Sequence, residues 1–143
     1  MEKRIISIVL SMHIILIPCF SYADAELDVS AGEKIMEAYS YTSTVSTTLS
    51  INDTGVAKPR AVITGLPGTT TKLHVTMHLQ KYSNGAWKTV QSWSSSTASN
   101  SLTLSKSKNV SQGKYRTHTV FKAYHNSSSE TITKNSGIVT DYI

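Results

Sequence analysis

His74 and His78 stand four residues apart, a spacing that on a helix would let two imidazoles share one metal ion. On a strand the same spacing separates them by about 13 Å, too far for a single ion unless a neighbouring strand brings His118 or His125 alongside. The expected reading is a pair of exposed strand histidines, with no metal and no cofactor. Tyr82, Trp87 and Trp93 occupy the same stretch, and Tyr115 and Tyr124 follow further on. Flat aromatic rings among Gln, Thr and Lys on a sheet face would stack on sugar rings, so an exposed Trp87 beside Tyr82 would form a carbohydrate-binding face. Large aromatics are mostly buried, so the expectation is that both tryptophans cover or fill the core, where they would form none. The candidate ligand-binding residues, should the rings be exposed, are Tyr82, Trp87, Trp93, His74 and His78.

Other chemistry finds no support. From residue 26 onward the acids are Glu26, Asp28, Glu33, Glu37, Asp53, Glu130 and Asp141, grouped near the start or isolated in turns. No pair of them is set up to face each other across a cleft. The serines lack a Gly-x-Ser-x-Gly elbow, and neither a Gly-rich phosphate loop nor a His-Glu-x-x-His helix occurs. A protein that is not an enzyme is expected.

The stretch that must position the aromatic and imidazole groups is 71–94, which reads as a β-hairpin. Leu73, Val75, Met77 and Leu79 alternate with His74, Thr76, His78 and Gln80, the period-2 pattern of a half-buried strand. Asn84-Gly85 supplies residues that tolerate the positive φ angles of a two-residue type I′ loop. With that loop Tyr82 opposes Trp87 and Leu79 opposes Val90, placing Trp87 and Trp93 on the polar face. A three-residue loop over Ser83, Asn84 and Gly85 with a bulge opposes Lys81 to Trp87 and turns both tryptophans to the face of Val75 and Met77. Both registers satisfy the pattern.

The chain opens with a targeting segment. Glu2-Lys3-Arg4 precedes an apolar run over 5–17, and Ala23-Asp24-Ala25 fits a small-x-small cleavage site, so residues 1–25 are expected to be a signal peptide cleaved after Ala23 or Ala25. Pro18, Ser21 and Asp24 end the run short of the length a membrane span requires, and no stable span is expected. Cys19, the single cysteine, lies in this segment. Its Leu16-Ile17-Pro18-Cys19 context loosely resembles a lipobox, but Pro18 stands where that motif wants a small residue, so lipidation is not expected. The remaining chain would then have neither disulfides nor thiolate chemistry.

About 118 residues follow, enough for one domain with a packed core. About a third of them are Ser or Thr, and β-branched and aromatic residues outnumber helix formers, so an all-β class is expected. Net charge is +5, with Lys and Arg spaced singly rather than in blocks. That favours solvated strand faces over a dedicated polyanion site, with a general, salt-sensitive attraction to anionic cell-wall polymers, anionic lipid surfaces or nucleic acid and no specific nucleic-acid partner.

Residues 26–40 read as a lead-in. Ser30-Ala-Gly-Glu33 matches a capping box and predicts a short helix over 31–38, though Gly32 and the small length argue equally for an unstructured segment. From Tyr41 the period becomes 2, with Val45, Leu49 and Ile51 on one side, up to a turn at Asn52-Asp-Thr-Gly55. Residues 56–64 form the next strand, with Pro59 placing it on a sheet edge or delaying its pairing. Further strands are expected at 101–105, 114–125 and 130–133, with a kink at Asn135-Ser-Gly137 before 138–142. About seven strands at regular spacing predict an antiparallel β-sandwich over 41–143, immunoglobulin-like or fibronectin-III-like. Asn52-Asp-Thr54 and Asn126-Ser-Ser128 match a glycosylation acceptor but read as turn chemistry.

Tyr41-Thr-Ser-Thr, the run Leu79-Gln-Lys … Gly85-Ala-Trp87-Lys-Thr-Val90-Gln-Ser-Trp93-Ser, and Leu104-Ser-Lys … Val110-Ser-Gln-Gly113-Lys-Tyr115-Arg together resemble a family of small secreted proteins of Gram-positive bacteria. The resemblance spans roughly 41–140 and implies secretion and a β-sandwich scaffold; it carries no catalytic residue. The combined expectation is a secreted, non-catalytic sandwich, extracellular or cell-wall associated, that binds a cell-wall polymer or carbohydrate. The alternative is a structural, self-associating matrix or coat component, which an uncharged, Pro-free edge strand would favour.

Overall fold

A computed structural model describes residues 39–142 of the chain. The expected signal peptide with Cys19, and the capping-box helix over 31–38, lie outside the described residues.

Alternation becomes strand throughout. Nine strands follow in order: β1 (Thr42–Ile51), β2 (Val56–Gly65), β3 (Lys72–Ser83), β4 (Ala86–Thr97), β5 (Ser101–Ser105), β6 (Lys108–Asn109), β7 (Gly113–His125), β8 (Ser128–Asn135) and β9 (Val139–Asp141). The two beyond the expected seven are short. β6 is a two-residue return to β2, and β9 is the run after the predicted kink, where the Ser136 N–H donates to the Thr117 carbonyl at 2.8 Å before the chain rejoins β7. One antiparallel sheet has the order β1-β2-β5, with β6 also on β2. The other has the order β4-β3-β7-β8, with β9 also on β7. Those are the positions of strands A, B and E facing C′, C, F and G, so the chain is an immunoglobulin- and fibronectin-III-like β-sandwich.

The inward rows make the core. Ala61, Ile63, Leu73, Val75, Met77, Leu102, Leu104, Phe121, Ala123 and Ile132 form one buried cluster, and Ala57, Leu79 and Tyr115 form a second. Trp93 packs against both. Thr117 and Thr119 are buried among these apolar groups and need partners there. They find them on β1: the Thr119 hydroxyl meets the Thr47 hydroxyl, and Thr117 reaches the Thr48 carbonyl.

Pro59 corrects an expectation. It lies in a central strand rather than on an edge: β2 pairs with β1 on one side, Pro59 opposite Leu49, and with β5 and β6 on the other. The ladder on that second side breaks between Ser105 and Lys108, and the Pro59 carbonyl points into the break, accepting the Lys106 N–H at 3.1 Å. In an extended strand the nitrogen of a residue points the same way as its carbonyl, so the position lacking an N–H faces the gap and no ladder bond is lost.

Tyr115 begins β7, the F-strand position, and is almost completely buried. Its hydroxyl donates to the Ser111 carbonyl at 2.6 Å, four residues upstream. This is a tyrosine corner, a hallmark of such sandwiches, and it pins the loop from β6 against the second core cluster. Tyr115→Phe keeps the ring and strands the carbonyl; urea denaturation should show a loss of about 1–3 kcal/mol. No loss would mean that the loop is held elsewhere.

Candidate functional site

The hairpin fixes where the chemistry points: it starts in the register of the two-residue loop and then leaves it at a bulge, in a pairing that neither predicted register contains. Asn84 and Gly85 hold φ angles of 53° and 78°, the two-residue loop closes, and Tyr82 opposes Trp87. The register then shifts: Gln80 opposes Thr89, but Leu79 opposes Gln91, leaving Val90 as the extra residue of a β-bulge. One extra residue exchanges the faces of everything beyond it. Trp87 therefore stays on the outer face with the even residues of β3, whereas Trp93 opposes Met77 and turns to the core.

Four of the five expected residues, His74, His78, Tyr82 and Trp87, thus share the outer face of the β4-β3-β7-β8 sheet. Trp93 does not join them. The face is built in rows across the strands. In the first, Trp87 and Tyr82 meet with ring centroids 5.2 Å apart at 58°. In the next, Arg116 Nε donates to Gln80 Oε1 at 2.9 Å, and the guanidinium lies over the Trp87 ring, 4.5 Å from its centroid. A cation so placed is attracted by the negative face of the indole and restrains the ring.

The third row crosses all four strands: Ser92, His78, His118 and Asn135. Ser92 Oγ lies 2.7 Å from His78 Nδ1, His118 Nδ1 lies 2.7 Å from Asn135 Oδ1, and the two imidazoles stack with centroids 6.0 Å apart. Since the Asn135 carbonyl accepts, His118 Nδ1 carries a proton and its Nε2 is left for a ligand. Two rows further, His74 Nδ1 is 2.6 Å from Ser96 Oγ, with Lys122 opposite on β7. His125 lies apart from the face, stacked on Tyr41 with its Nδ1 against the Thr69 carbonyl. Among the described residues no group of three His, Cys, Asp or Glu is placed to hold a metal.

Arg116 and Gln80 complete the face and were not singled out from the sequence, while of the two histidines that a neighbouring strand could bring alongside, His118 takes that place and His125 does not. The signal was present in the even residues of β7: Arg116, His118 and Lys122 fall directly opposite Gln80, His78 and His74. Reading it needed the β3–β7 pairing.

Partial burial holds the His78 imidazole below its ordinary pKa, and the neighbouring His118 adds to the effect. The sign of the consequence follows. The unfolded chain takes up a proton at His78 first as pH falls, so stability is full at pH 7.5, declines as pH passes down through about 6.5, and levels off below the folded-state value. Melting curves from pH 7.5 to 5 should therefore fall less steeply for His78→Gln than for the parent. His118→Gln, which removes only the lesser cause, should have the smaller effect. Identical profiles would contradict the pairing.

Charge is segregated as well. Eleven of the fourteen Lys and Arg residues but only three of the nine acids come after residue 40. Asp53 sits in the β1–β2 turn, Asp141 is buried on β9, and Glu130 accepts the N–H groups of Ser40 and Tyr41 at 2.8 and 2.9 Å. None of the three stands in the outward rows of either sheet. No helix among the described residues is long and apolar enough to cross a membrane. The chain matches no protein-family model and no curated protein.

Proposed function

We propose that the protein is a secreted, non-catalytic binding module whose β4-β3-β7 outer face holds an anionic glycopolymer of the bacterial cell envelope. The observation that carries this reading is the Trp87 ring on the outer sheet face, contacted by the Arg116 guanidinium and flanked by Tyr82, in rows that offer Gln80, His78, His118, His74 and Lys122 and contain no carboxylate. An indole stacks on the apolar face of a pyranose, amide and imidazole groups satisfy its hydroxyls, and unopposed cations attract the acidic substituents. The signal-like leader and the resemblance to small secreted Gram-positive proteins point to the same compartment.

Trp87 reports on its own surface once the second tryptophan is removed. In Trp93→Phe, titration with solubilised teichoic acid should change the Trp87 fluorescence saturably, with an apparent affinity that falls as salt rises. An emission that does not respond would sink the assignment to this face.

A second reading has one observation of its own. The edge strand β1, Thr42–Ile51, carries neither charge nor proline over ten residues, the kind of edge that pairs with another chain. Self-association by that route would appear as a concentration-dependent sedimentation coefficient that Ser46→Lys abolishes.

A further inference from the structure

The opposite sheet bears a second concentration of charge, far from the Trp87 face in the topology and of different chemistry. Where the β2 ladder breaks, the outer surface dips into an open basin of about 600 Å³ lined by Thr48, Ser50, Lys58, Arg60, Ser105 and Lys106, with Pro59 and Ser107 completing it. Registry explains the convergence. Arg60 is flanked across the ladder by Thr48 on one side and Ser105 on the other, and Lys58 lies opposite Ser50. Lys58 and Arg60 are two residues apart on one face, so their side chains emerge about 7 Å from each other. The excursion of the chain between β5 and β6 adds Lys106 from the third side. Pro59, which forces the ladder to open, makes the basin.

No carboxylate lines it. Among the described residues, the Lys58, Arg60 and Lys106 side chains form neither ion pairs nor hydrogen bonds, although like charges this close on a sheet repel one another. Three convergent cations with surrounding hydroxyls and no counter-charge are complementary to an anion of high charge with several acceptor oxygens. A single carboxylate would leave most of these donors unused. A phosphate group would not: the guanidinium fork takes two of its oxygens, the two ammonium groups approach the others as point charges, and the Thr48, Ser50, Ser105 and Ser107 hydroxyls donate around the rim.

We infer that this basin is a phosphate-binding site, distinct from the aromatic face and independent of it. Free phosphate and a phosphodiester within a polymer share the recognised chemistry. They are separated by comparing inorganic phosphate with a short glycerol-phosphate oligomer, because only the oligomer places a second phosphate near the first.

The test is a titration of the purified, isotope-labelled full chain followed by amide NMR shifts, with each probe in turn. With inorganic phosphate, saturable shifts confined to residues 48–50, 58–60 and 105–107 are expected. The combined variant Lys58→Gln, Arg60→Gln, Lys106→Gln should weaken inorganic phosphate binding at least tenfold. All three cations are exposed, so a melting temperature near the parent's will show that the variant is folded. Tighter binding of the oligomer than of inorganic phosphate would assign the site to a polymer, and equal binding to the free ion. Shifts with inorganic phosphate that do not saturate, that survive in the triple variant, or that spread equally to Lys72 and Lys88 would overturn the site in favour of diffuse attraction.

Discussion

Trp93→Ala should destabilise the protein by about 2–4 kcal/mol, whereas Trp87→Ala, six residues away on the same strand, should cost no more than about 1 kcal/mol. The two residues are chemically identical and both partly exposed, so composition and burial class do not distinguish them. Contacts do. Trp93 touches both core clusters and spans the gap between Met77 on its own sheet and the apolar residues of the other. Removing it leaves a cavity that neither cluster can close, and the estimate stays below that for a fully buried tryptophan because part of the ring is already wet. For a domain of this size the loss corresponds to a fall of roughly 10–20 °C in Tm. Urea curves with an unchanged slope would attribute it to the folded state. If Trp87→Ala proved the more destabilising, the bulge at Val90 would be misplaced and the two faces of β4 exchanged.

Trp87→Ala has its effect on binding instead. Stacking of a nucleobase on an aromatic side chain is worth about 1–3 kcal/mol by alanine substitution, and taking that as the scale for a pyranose on Trp87 gives an expected loss of roughly ten- to a hundredfold in affinity. The variant removes the platform and also frees Arg116, whose guanidinium would still hold Gln80 but no longer lie over a ring. Arg116→Lys should therefore reproduce part of the loss, since an ammonium keeps the charge but neither the fork nor the stacking plane. Binding by charge alone predicts the reverse order, with Trp87→Ala neutral and Arg116→Gln weakened.

The fold was largely legible because its signal is local. Alternation in 41–51, 71–80 and 101–105 specified strands, and Asn84-Gly85 and Asn52–Gly55 specified turns, each at the scale of a few residues. What escaped depends on pairing between distant strands. The hairpin offered two registers, and the structure uses the two-residue-loop register at the turn but shifts at Val90 to a pairing that neither contained; a bulge leaves no mark in a strand that alternates equally well on both sides of it. Val90 itself is 40% exposed, and a valine in that setting reads as one more strand residue. Pro59 was judged by the rule that proline avoids central strands, and the rule fails where the neighbouring ladder is interrupted, which only the return of β6 reveals. The candidate face divides along the same line. Its half on β3 and β4 could be read from one hairpin, while Arg116 and His118 joined it through a partner strand some 40 residues further along. Tyr115 gave no warning of its corner, because its partner is a backbone carbonyl and every residue has one.

Retention on purified Gram-positive cell walls decides whether the protein holds an envelope polymer on its Trp87 face. Parent and Trp87→Ala would be compared at low and high salt, on walls with and without teichoic acid. The parent should be retained on complete walls, less so at high salt or after teichoic acid is stripped, and most of that retention should be lost in a Trp87→Ala protein whose melting temperature shows it to be folded. Equal retention of parent and variant, or none of the parent in any condition, would contradict binding on that face.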